Sequence, residues 1–305
     1  MKPELPDALL TAPPTGWTVW WTAARPRTLT LATAPVLAGT ALAWAEGAVP
    51  QWLTLLATLL AALLIQIGTN LHNDAADFVR GNDRADRLGP LRVTAAGWAS
   101  AARVRFAAHL AFGLAFALGL YLVAVGGWPI LAIGCASLLA AVAYSGGPRP
   151  ISHTPFGEVF VWIFFGVLAV AGSYWLQADA FSFNALIVGS AIGLPAAAVL
   201  LVNNLRDVDA DTRAGRRTLA AVLGDSATRK AYALLMLLPY ASLPLLHKDG
   251  AWLALLALPV SMALARQLRK GTNDSRGPAL NLVLARTAQC ALGFAVLIAL
   301  GVLLT

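Results

Sequence analysis

Hydrophobic residues along this chain form long runs separated by short charged stretches. The runs at residues 55–68, 106–125, 159–176, 185–201, 231–246 and 287–304 contain no Asp, Glu, Lys or Arg. A helix needs about 20 apolar residues to cross a hydrocarbon layer roughly 30 Å thick. The pattern predicts an all-α polytopic membrane protein with about nine transmembrane helices around a central intramembrane cavity, at residues 27–46, 51–72, 104–125, 128–146, 156–177, 184–204, 229–247, 251–266 and 281–304.

The composition and the distribution of charge agree with this prediction. Hydrophobic residues make up 58% of the chain and charged residues 12%, about half the charged fraction of a soluble domain. With nine helices, every Lys and Arg except Lys248 lies on one side of the membrane. The positive-inside rule then predicts a cytoplasmic N-terminus and an extracytoplasmic C-terminus. The net charge of +7 is therefore a topology signal, and no nucleic-acid partner is predicted.

The first residues differ from the rest of the chain. They contain several prolines and acids and lack a basic stretch followed by an apolar core, so no cleavable signal peptide is predicted. We expect a cytoplasmic tail at residues 1–24 and one transmembrane domain at residues 25–305. The two cysteines, Cys135 and Cys290, lie in apolar runs and are expected to pack between helices.

A first polar cluster lies at the end of the second predicted helix. If the helix continues to Asp77, then Asn70, Asp74 and Asp77 share one face, because they are spaced by four and three residues. Like charges at this spacing repel one another unless a cation lies between them. Oxygen ligands of this kind favour Mg²⁺. The alternative is a solvated helix end whose acids pair with arginines.

A second cluster follows the sixth predicted helix, where Asp207 and Asp211 are again one turn apart. Two such clusters at the cytoplasmic ends of even-numbered helices suggest duplicated halves that face each other. Two Mg²⁺ ions bridging to a diphosphate would balance four carboxylates. Asp74, Asp77, Asp207 and Asp211 are thus the predicted catalytic residues, and the same four with Asn70 are the predicted metal ligands.

Other polar residues near these clusters are candidates for substrate binding. Residues 144–158 form a loop shaped by prolines and glycines, in which Arg149 is a candidate for phosphate or an acceptor carboxylate and His153 or Glu158 for orienting the acceptor. Arg25 lies at the cytoplasmic end of the first predicted helix and is expected to anchor it, with a phosphate contact as a second role. The predicted substrate-binding residues are Arg25, Asn70, Asn73, Arg149, His153, Asn204 and Arg206.

At these residues the chain resembles the UbiA-type intramembrane aromatic prenyltransferases, whose two aspartate-rich motifs are matched by residues 73–77 and 207–211. The resemblance extends over nearly the whole chain. Residues 68–74, 87–90, 157–161 and 203–207 are most similar to the branch that prenylates 1,4-dihydroxy-2-naphthoate in menaquinone synthesis. Many members carry a third Asp where this chain has Gly81, with Asp83 two residues later, which leaves the role of Asp83 open.

The resemblance implies a Mg²⁺-dependent enzyme of a bacterial cytoplasmic membrane. A polyprenyl diphosphate loses its diphosphate to Mg²⁺ and arginines, and the allylic cation is attacked by the naphthalenediol with loss of CO₂. Prenyl transfer to 4-hydroxybenzoate is the main alternative. An anion transporter would also have duplicated halves, but its polar residues are expected at the membrane midplane. The Asp-Gly and Ala-Arg pattern of membrane phosphotransferases is not found in the sequence.

Overall fold

The computed structural model describes residues 14–81, 88–271 and 277–304, and its regular secondary structure in these ranges is helical. Asp83 lies outside the described residues. The helices are α1 (Trp17–Ala24), α2 (Pro26–Ala45), α3 (Trp52–Val79), α4 (Ala101–Ser145), α5 (Gly157–Trp162), α6 (Leu168–Ala178), α7 (Phe183–Arg206), α8 (Val208–Arg213), α9 (Leu219–Ala241), α10 (Leu258–Lys270) and α11 (Leu280–Leu303). A π-helical turn, Ile163–Val167, joins α5 to α6.

Seven helical stretches of the described chain are long and apolar enough to cross a membrane. This result confirms the predicted all-α membrane class. It does not confirm the exact count of nine, because the predicted helices at 104–125 and 128–146 both lie within α4. The predicted helix at 229–247 falls on α9, which is not among the seven.

Helix α4 folds back on itself at Gly127. This residue has a φ of 68°, which glycine adopts readily, and Pro129 follows it without a backbone N–H to donate. The two ends of α4 lie beside the same end of α3: Val104 packs in one cluster with Leu71, and the carbonyl of Ser145 accepts a hydrogen bond from Arg80. The 45 residues of α4 therefore run away from this end and return to it.

Helix α7 lies at the centre of the bundle and is buried along most of its length. Its glycines allow the chain around the π-helical turn to approach closely. A Cβ atom added at Gly193 would lie 2.5 Å from the carbonyl oxygen of Trp162 and 3.0 Å from the Cα atom of Gly166. This close packing fixes the position of α7, whose C-terminal end carries the second aspartate motif.

Helix α1 falls within the stretch predicted as a tail, residues 1–24. Its Val19 and Ala23 are buried in the same apolar cluster as Leu71 and Ala75 of α3. The carbonyl of Ala24 also accepts a hydrogen bond from the side chain of Asn70, at 2.9 Å. Residues 17–24 thus form part of the packed helices and lie against the first aspartate motif.

The bundle has two polar ends, which we call the site end and the far end. The site end contains the C-terminal ends of α3 and α7, and the far end contains the C-terminal end of α2 and the start of α7. At the far end the Glu46 carboxylate accepts hydrogen bonds from Tyr174 at 2.6 Å, Asn184 at 2.7 Å and Ser182 at 3.2 Å. These bonds connect α2 to α6 and α7.

Candidate active site

The first aspartate motif lies on the last two turns of α3, where the helix leaves its apolar stretch. Asp74 is buried and both of its carboxylate oxygens are engaged. They accept hydrogen bonds from the backbone N–H groups of Val93 at 3.1 Å and Thr94 at 3.3 Å, and from the hydroxyl of Thr94. Asp74 thereby holds the segment that follows the motif against the end of α3.

Asp77, one turn further along α3, is buried between two arginines. Its carboxylate lies 2.6 Å from Nη1 of Arg92 and 2.7 Å from Nη2 of Arg216. Arg92 also donates to the side chain of Asn73 at 3.4 Å. Hydrogen bonds to charged partners in such surroundings are among the strong ones in proteins. The acid is therefore held in a single orientation, toward the loop after α8.

The two aspartate motifs meet at Arg216. Its Nη2 atom contacts Asp77, and its Nη1 atom lies 3.3 Å from the carboxylate of Asp211, which is the last acid of the second motif. One guanidinium thus bridges carboxylates that are 134 positions apart in the sequence, from residue 77 to residue 211. A cationic group lies between acids of both motifs, and the charges of the two motifs are therefore balanced together.

Arg206 holds Asp207, the first acid of the second motif. This buried side chain forms a two-point ion pair with Asp207, at 2.8 Å and 2.6 Å, and donates to Asn203 at 2.9 Å and to Asn281 at 2.8 Å. Such planar pairing fixes orientation as well as charge. Arg206 consequently positions Asp207 and connects α7 to α11. Asp209 between the two acids is exposed.

The asparagines predicted to bind substrate also have protein partners. Nδ2 of Asn70 donates to the carbonyl of Ala24 and, at 3.0 Å, to the hydroxyl of Thr28. Nδ2 of Asn204 donates to Oε1 of Glu158 at 2.9 Å. These two amides connect neighbouring segments. Asn70 also lines the cavity described below, as does Asn203, next to Asn204.

Only part of the loop after α4 lies close to the two motifs. Arg149 is exposed and does not line the cavity. The carbonyl of His153 accepts a hydrogen bond from the N–H of Arg217 at 3.0 Å, which holds this loop beside the second motif. Burial and the neighbouring Arg216 lower the pKa of His153 from its usual value, against an opposing effect of Asp77. The imidazole is therefore neutral at pH 7.

A cavity of about 400 Å³ begins beside Asn73 and Asn203 and extends into the helix bundle. Its polar end is lined by Arg25, Asn70, Asn73, Tyr144 and Asn203. The remaining walls are mostly apolar and come from α2, α3, both halves of α4, α5, α6 and α7. The cavity thus has the shape and polarity to hold a molecule with one charged end and a long apolar body.

The side-chain oxygens of the two motifs fit a magnesium ion in kind. Carboxylate and amide oxygens are the ligands that Mg²⁺ takes, usually with oxygens from a substrate phosphate and water. In the described part of the chain, no three Asp, Glu, His or Cys side chains come close enough to hold a metal ion alone. Asp77 and Asp211 share a cation through Arg216, as two ligands from opposite motifs would share a metal–diphosphate complex. The alternative interpretation of the sequence, in which the acids pair with arginines, therefore describes these contacts. However, Arg216 pairs with acids of both motifs.

A comparison with known protein families identifies the chain. The model of the "UbiA prenyltransferase family" matches residues 32–285, which includes both aspartate motifs. The chain belongs to the UbiA prenyltransferase family. It is accordingly an enzyme that transfers prenyl groups, and its apolar helices make it an integral membrane protein.

Relatives within the UbiA family cover almost the whole chain. The chain is 37% identical to a protein of Escherichia coli (strain K12) named "1,4-dihydroxy-2-naphthoate octaprenyltransferase", over 94% of this chain and 95% of the relative. It is 38% identical to a protein of the same name from Mycobacterium tuberculosis, over 83% and 86% of the two chains. A solved structure of a UbiA homolog from Archaeoglobus fulgidus bound to DMAPP and Mg²⁺ has a TM-score of 0.63 at 16% identity, covering 94% and 99%. The last comparison supports the fold.

Several residues of this UbiA-family site were not predicted from the sequence. Arg92, Thr94 and Arg216 contact the aspartates directly, although they lie outside the two motifs. Arg80 also contributes, because it donates to the carbonyls of Ser145 and Gly147 and holds the loop after α4. The available signal was the density of arginines after each motif, which indicates anion binding but does not identify the residues that reach the acids.

Proposed function

We propose that this enzyme transfers a polyprenyl group from an allylic polyprenyl diphosphate to 1,4-dihydroxy-2-naphthoate. Diphosphate and CO₂ are released, and the product is demethylmenaquinol, an intermediate of menaquinone biosynthesis. The observation that carries the chemistry is the bridge from Asp77 through Arg216 to Asp211. Asn73, which shares Arg92 with Asp77, lines the polar end of the apolar cavity. The acceptor is inferred from the two relatives that are named for it.

The diphosphate of the donor occupies the polar end of the cavity in this proposal. Asp77 and Asp211, with Asp74 and Asp207, would hold Mg²⁺, which when bound would neutralise charge that builds up on the leaving diphosphate. Arg216 and Arg25 then contact the remaining diphosphate oxygens. These cations stabilise the transition state more than the ground state, because negative charge on the leaving group grows as the carbon–oxygen bond breaks.

The polyprenyl chain lies along the apolar walls of the cavity. Phe116, Leu120 and Leu131 line the cavity, and about half of each residue's surface is accessible. In a bilayer these residues face lipid, and a long chain can extend between them into the hydrocarbon layer. The apolar walls also keep water from the allylic cation, which would otherwise be trapped as an alcohol.

The proposed location is the cytoplasmic membrane of a bacterium, with the site end on the cytoplasmic side. The support is the one-sided distribution of Lys and Arg, which predicts this orientation. Reporter fusions after residues 46, 126, 179, 248 and 305 should report the extracytoplasmic side. A cytoplasmic signal at residue 305 would contradict the orientation and the nine-helix count.

The proposed reaction is tested with carboxyl-labelled 1,4-dihydroxy-2-naphthoate. Purified enzyme with Mg²⁺ and an allylic polyprenyl diphosphate should release labelled CO₂ in step with prenylated product. In a parallel incubation, 4-hydroxybenzoate should give little product. Retention of the label in the product, or reaction with 4-hydroxybenzoate alone, would refute the naphthoate proposal and leave the diphosphate site in place.

A further inference from the structure

The structure contains a buried glutamate that the proposed mechanism does not use. Glu158 begins α5, and its side chain is 4% exposed. Its Oε1 atom accepts a hydrogen bond from Asn204 at 2.9 Å, while its Oε2 atom is buried without a hydrogen-bond partner among the described residues. A buried acceptor in this state has lost its contact with water without gaining a hydrogen bond in return. The position therefore calls for a donor that arrives during the catalytic cycle.

At the far end of the bundle, an exposed glutamate has hydrogen-bond partners on both of its carboxylate oxygens. There Glu46 also accepts from an asparagine, Asn184, at 2.7 Å, and its second oxygen accepts from the hydroxyl of Tyr174 at 2.6 Å. Glu158 has the corresponding asparagine but lacks a hydroxyl on its second oxygen. By comparison with Glu46, a hydroxyl group is a suitable donor to Oε2 of Glu158.

A tyrosine is available beside Glu158. Tyr144 lines the polar end of the cavity, and the charged groups that act on its hydroxyl are Glu158, Asp77, Arg216 and Arg25. No described residue forms a hydrogen bond with the Tyr144 hydroxyl that meets ordinary geometric criteria. This phenol thus faces the space in which substrates bind and lies within electrostatic range of the buried glutamate.

The Glu158–Asn204 pair lies directly behind the cavity wall. Phe160 and Val161, which follow Glu158 on α5, line the cavity, as does Asn203 next to Asn204 on α7. Asn204 also precedes the second aspartate motif by three residues. Any change in the Glu158 contacts is therefore transmitted to the wall that faces the substrates.

We propose that Glu158 is a positioning residue for the aromatic acceptor. When the acceptor enters, the Tyr144 hydroxyl donates to Oε2 of Glu158, and its oxygen is thereby oriented to accept a hydrogen bond from an acceptor hydroxyl. A diol bound in this way presents its ring toward the diphosphate end of the cavity. The inference rests on the proposed function, since it requires an acceptor with a hydroxyl group.

The test is the E158Q variant, which keeps the size of the side chain. Its amide oxygen can still accept from Asn204, but an amide NH₂ replaces the second acceptor. We expect the apparent KM for 1,4-dihydroxy-2-naphthoate to rise about tenfold or more, from the loss of a buried hydrogen bond. The apparent KM for geranylgeranyl diphosphate, used as the donor probe, should change less than about twofold, because the donor does not contact this pair.

The second variant is Y144F, which removes only the hydroxyl. It should raise the acceptor KM in the same way, and the Y144F/E158Q double variant should be no worse than the more affected single variant, because both changes remove one hydrogen bond. If E158Q does not purify as a folded protein, Y144F measured with Glu158 intact decides the question. E46Q is the matched control and should leave both KM values unchanged.

Three results would overturn the proposal: an unchanged acceptor KM in E158Q or Y144F, equal increases for both substrates, or additive effects in the double variant. Measurements on the wild-type enzyme distinguish a failure of this inference from a failure of the proposed function. If it does not prenylate the naphthoate, the proposed function fails. If it does and E158Q behaves like wild type, only the role of Glu158 fails.

Discussion

The two polar ends of the bundle contain similar side chains in different states. At the far end, Glu46 accepts three hydrogen bonds, and Gln177 accepts from Trp44 at 3.0 Å and from the N–H of Gln51 at 2.9 Å. At the site end, by contrast, several buried polar atoms have no hydrogen-bond partner in the described part of the chain. They belong to Gln66, His72, Ser145, His153, Glu158 and Arg216.

This difference indicates that the far end mainly stabilises the fold and that the site end mainly binds substrate. Each unsatisfied buried group costs about 1–3 kcal/mol, so a surface designed only for stability would not collect them in one place. The far end connects helices that are distant in the sequence, such as α2 and α7. The site end keeps donors and acceptors available for a charged substrate and accepts the cost in stability. Changes at the two ends should therefore have different signatures.

The largest effect is expected at the carboxylates shared by the two motifs. Asp211→Asn should reduce turnover by about 10²–10³-fold, because one charge that balances the leaving diphosphate is lost. Asp77→Asn should do the same and also destabilise the protein, since Arg92 and Arg216 lose their buried partner. Steady-state turnover and thermal unfolding of the purified variants separate these effects.

The control for this prediction is Asp209→Asn. Asp209 lies between the two acids of the second motif but is exposed, so its loss should change turnover less than about twofold. Normal turnover in both Asp77→Asn and Asp211→Asn would show that the motifs do not form a shared site.

At the far end, Glu46→Gln should affect stability and leave the chemistry intact. The loss of charge weakens hydrogen bonds from Tyr174 and Asn184. Because Glu46 is exposed to solvent, we expect a decrease of only about 0.5–1.5 kcal/mol in the free energy of unfolding. The turnover number of the folded fraction should equal that of wild type. A stable variant with reduced turnover would contradict the separation of the two ends.

His153 gives a smaller, pH-dependent effect at the site end. Burial and Arg216 lower its pKa in the folded protein, so well above a pH of about 6.5 the imidazole is neutral in both the folded and the unfolded state. Below that pH the unfolded chain binds a proton that the folded protein resists, and stability decreases as the pH falls. The melting temperature of wild type should therefore decrease more between pH 7.5 and pH 5.5 than that of His153→Gln. Equal decreases would contradict the prediction.

The smallest effect is expected for Arg149→Gln. This residue is exposed and does not line the cavity, so the KM values for both substrates should change less than about threefold. Such a result would leave the acceptor carboxylate to Arg25 or another cation at the polar end. A large increase in the acceptor KM alone would instead support the original prediction from the sequence and require the loop to close over the site.

The sequence predicted the class of the fold well because bilayer thickness sets the length of the apolar runs. The chain reversal between the predicted helices at 104–125 and 128–146 corresponds to the break at Gly127. Helix α9 was less predictable: it begins at Leu219, but Asp225, Arg229 and Lys230 interrupt its apolar pattern, so the prediction began at residue 229. Charges that pair within the bundle have the same appearance in a sequence as charges in a loop.

The site was predictable only where its residues share a helix. Spacing of three and four residues placed Asp74 and Asp77 on one face of α3, since helical geometry is local. The partners of these acids, Thr94 and Arg216, come from loops whose conformations depend on tertiary packing. For the same reason the sequence could not show that Asn204 binds Glu158, or that Arg149 is exposed.

The most direct test of the account measures binding without turnover. A non-hydrolysable allylic thiodiphosphate should bind to wild type in the presence of Mg²⁺, as measured by isothermal titration calorimetry of the full-length protein in nanodiscs. Binding should be lost or weakened by at least about tenfold in Asp77→Asn and equally in Asp211→Asn, and should be unchanged in Glu46→Gln. Wild-type affinity in either aspartate variant would contradict the claim that the two motifs form one diphosphate site.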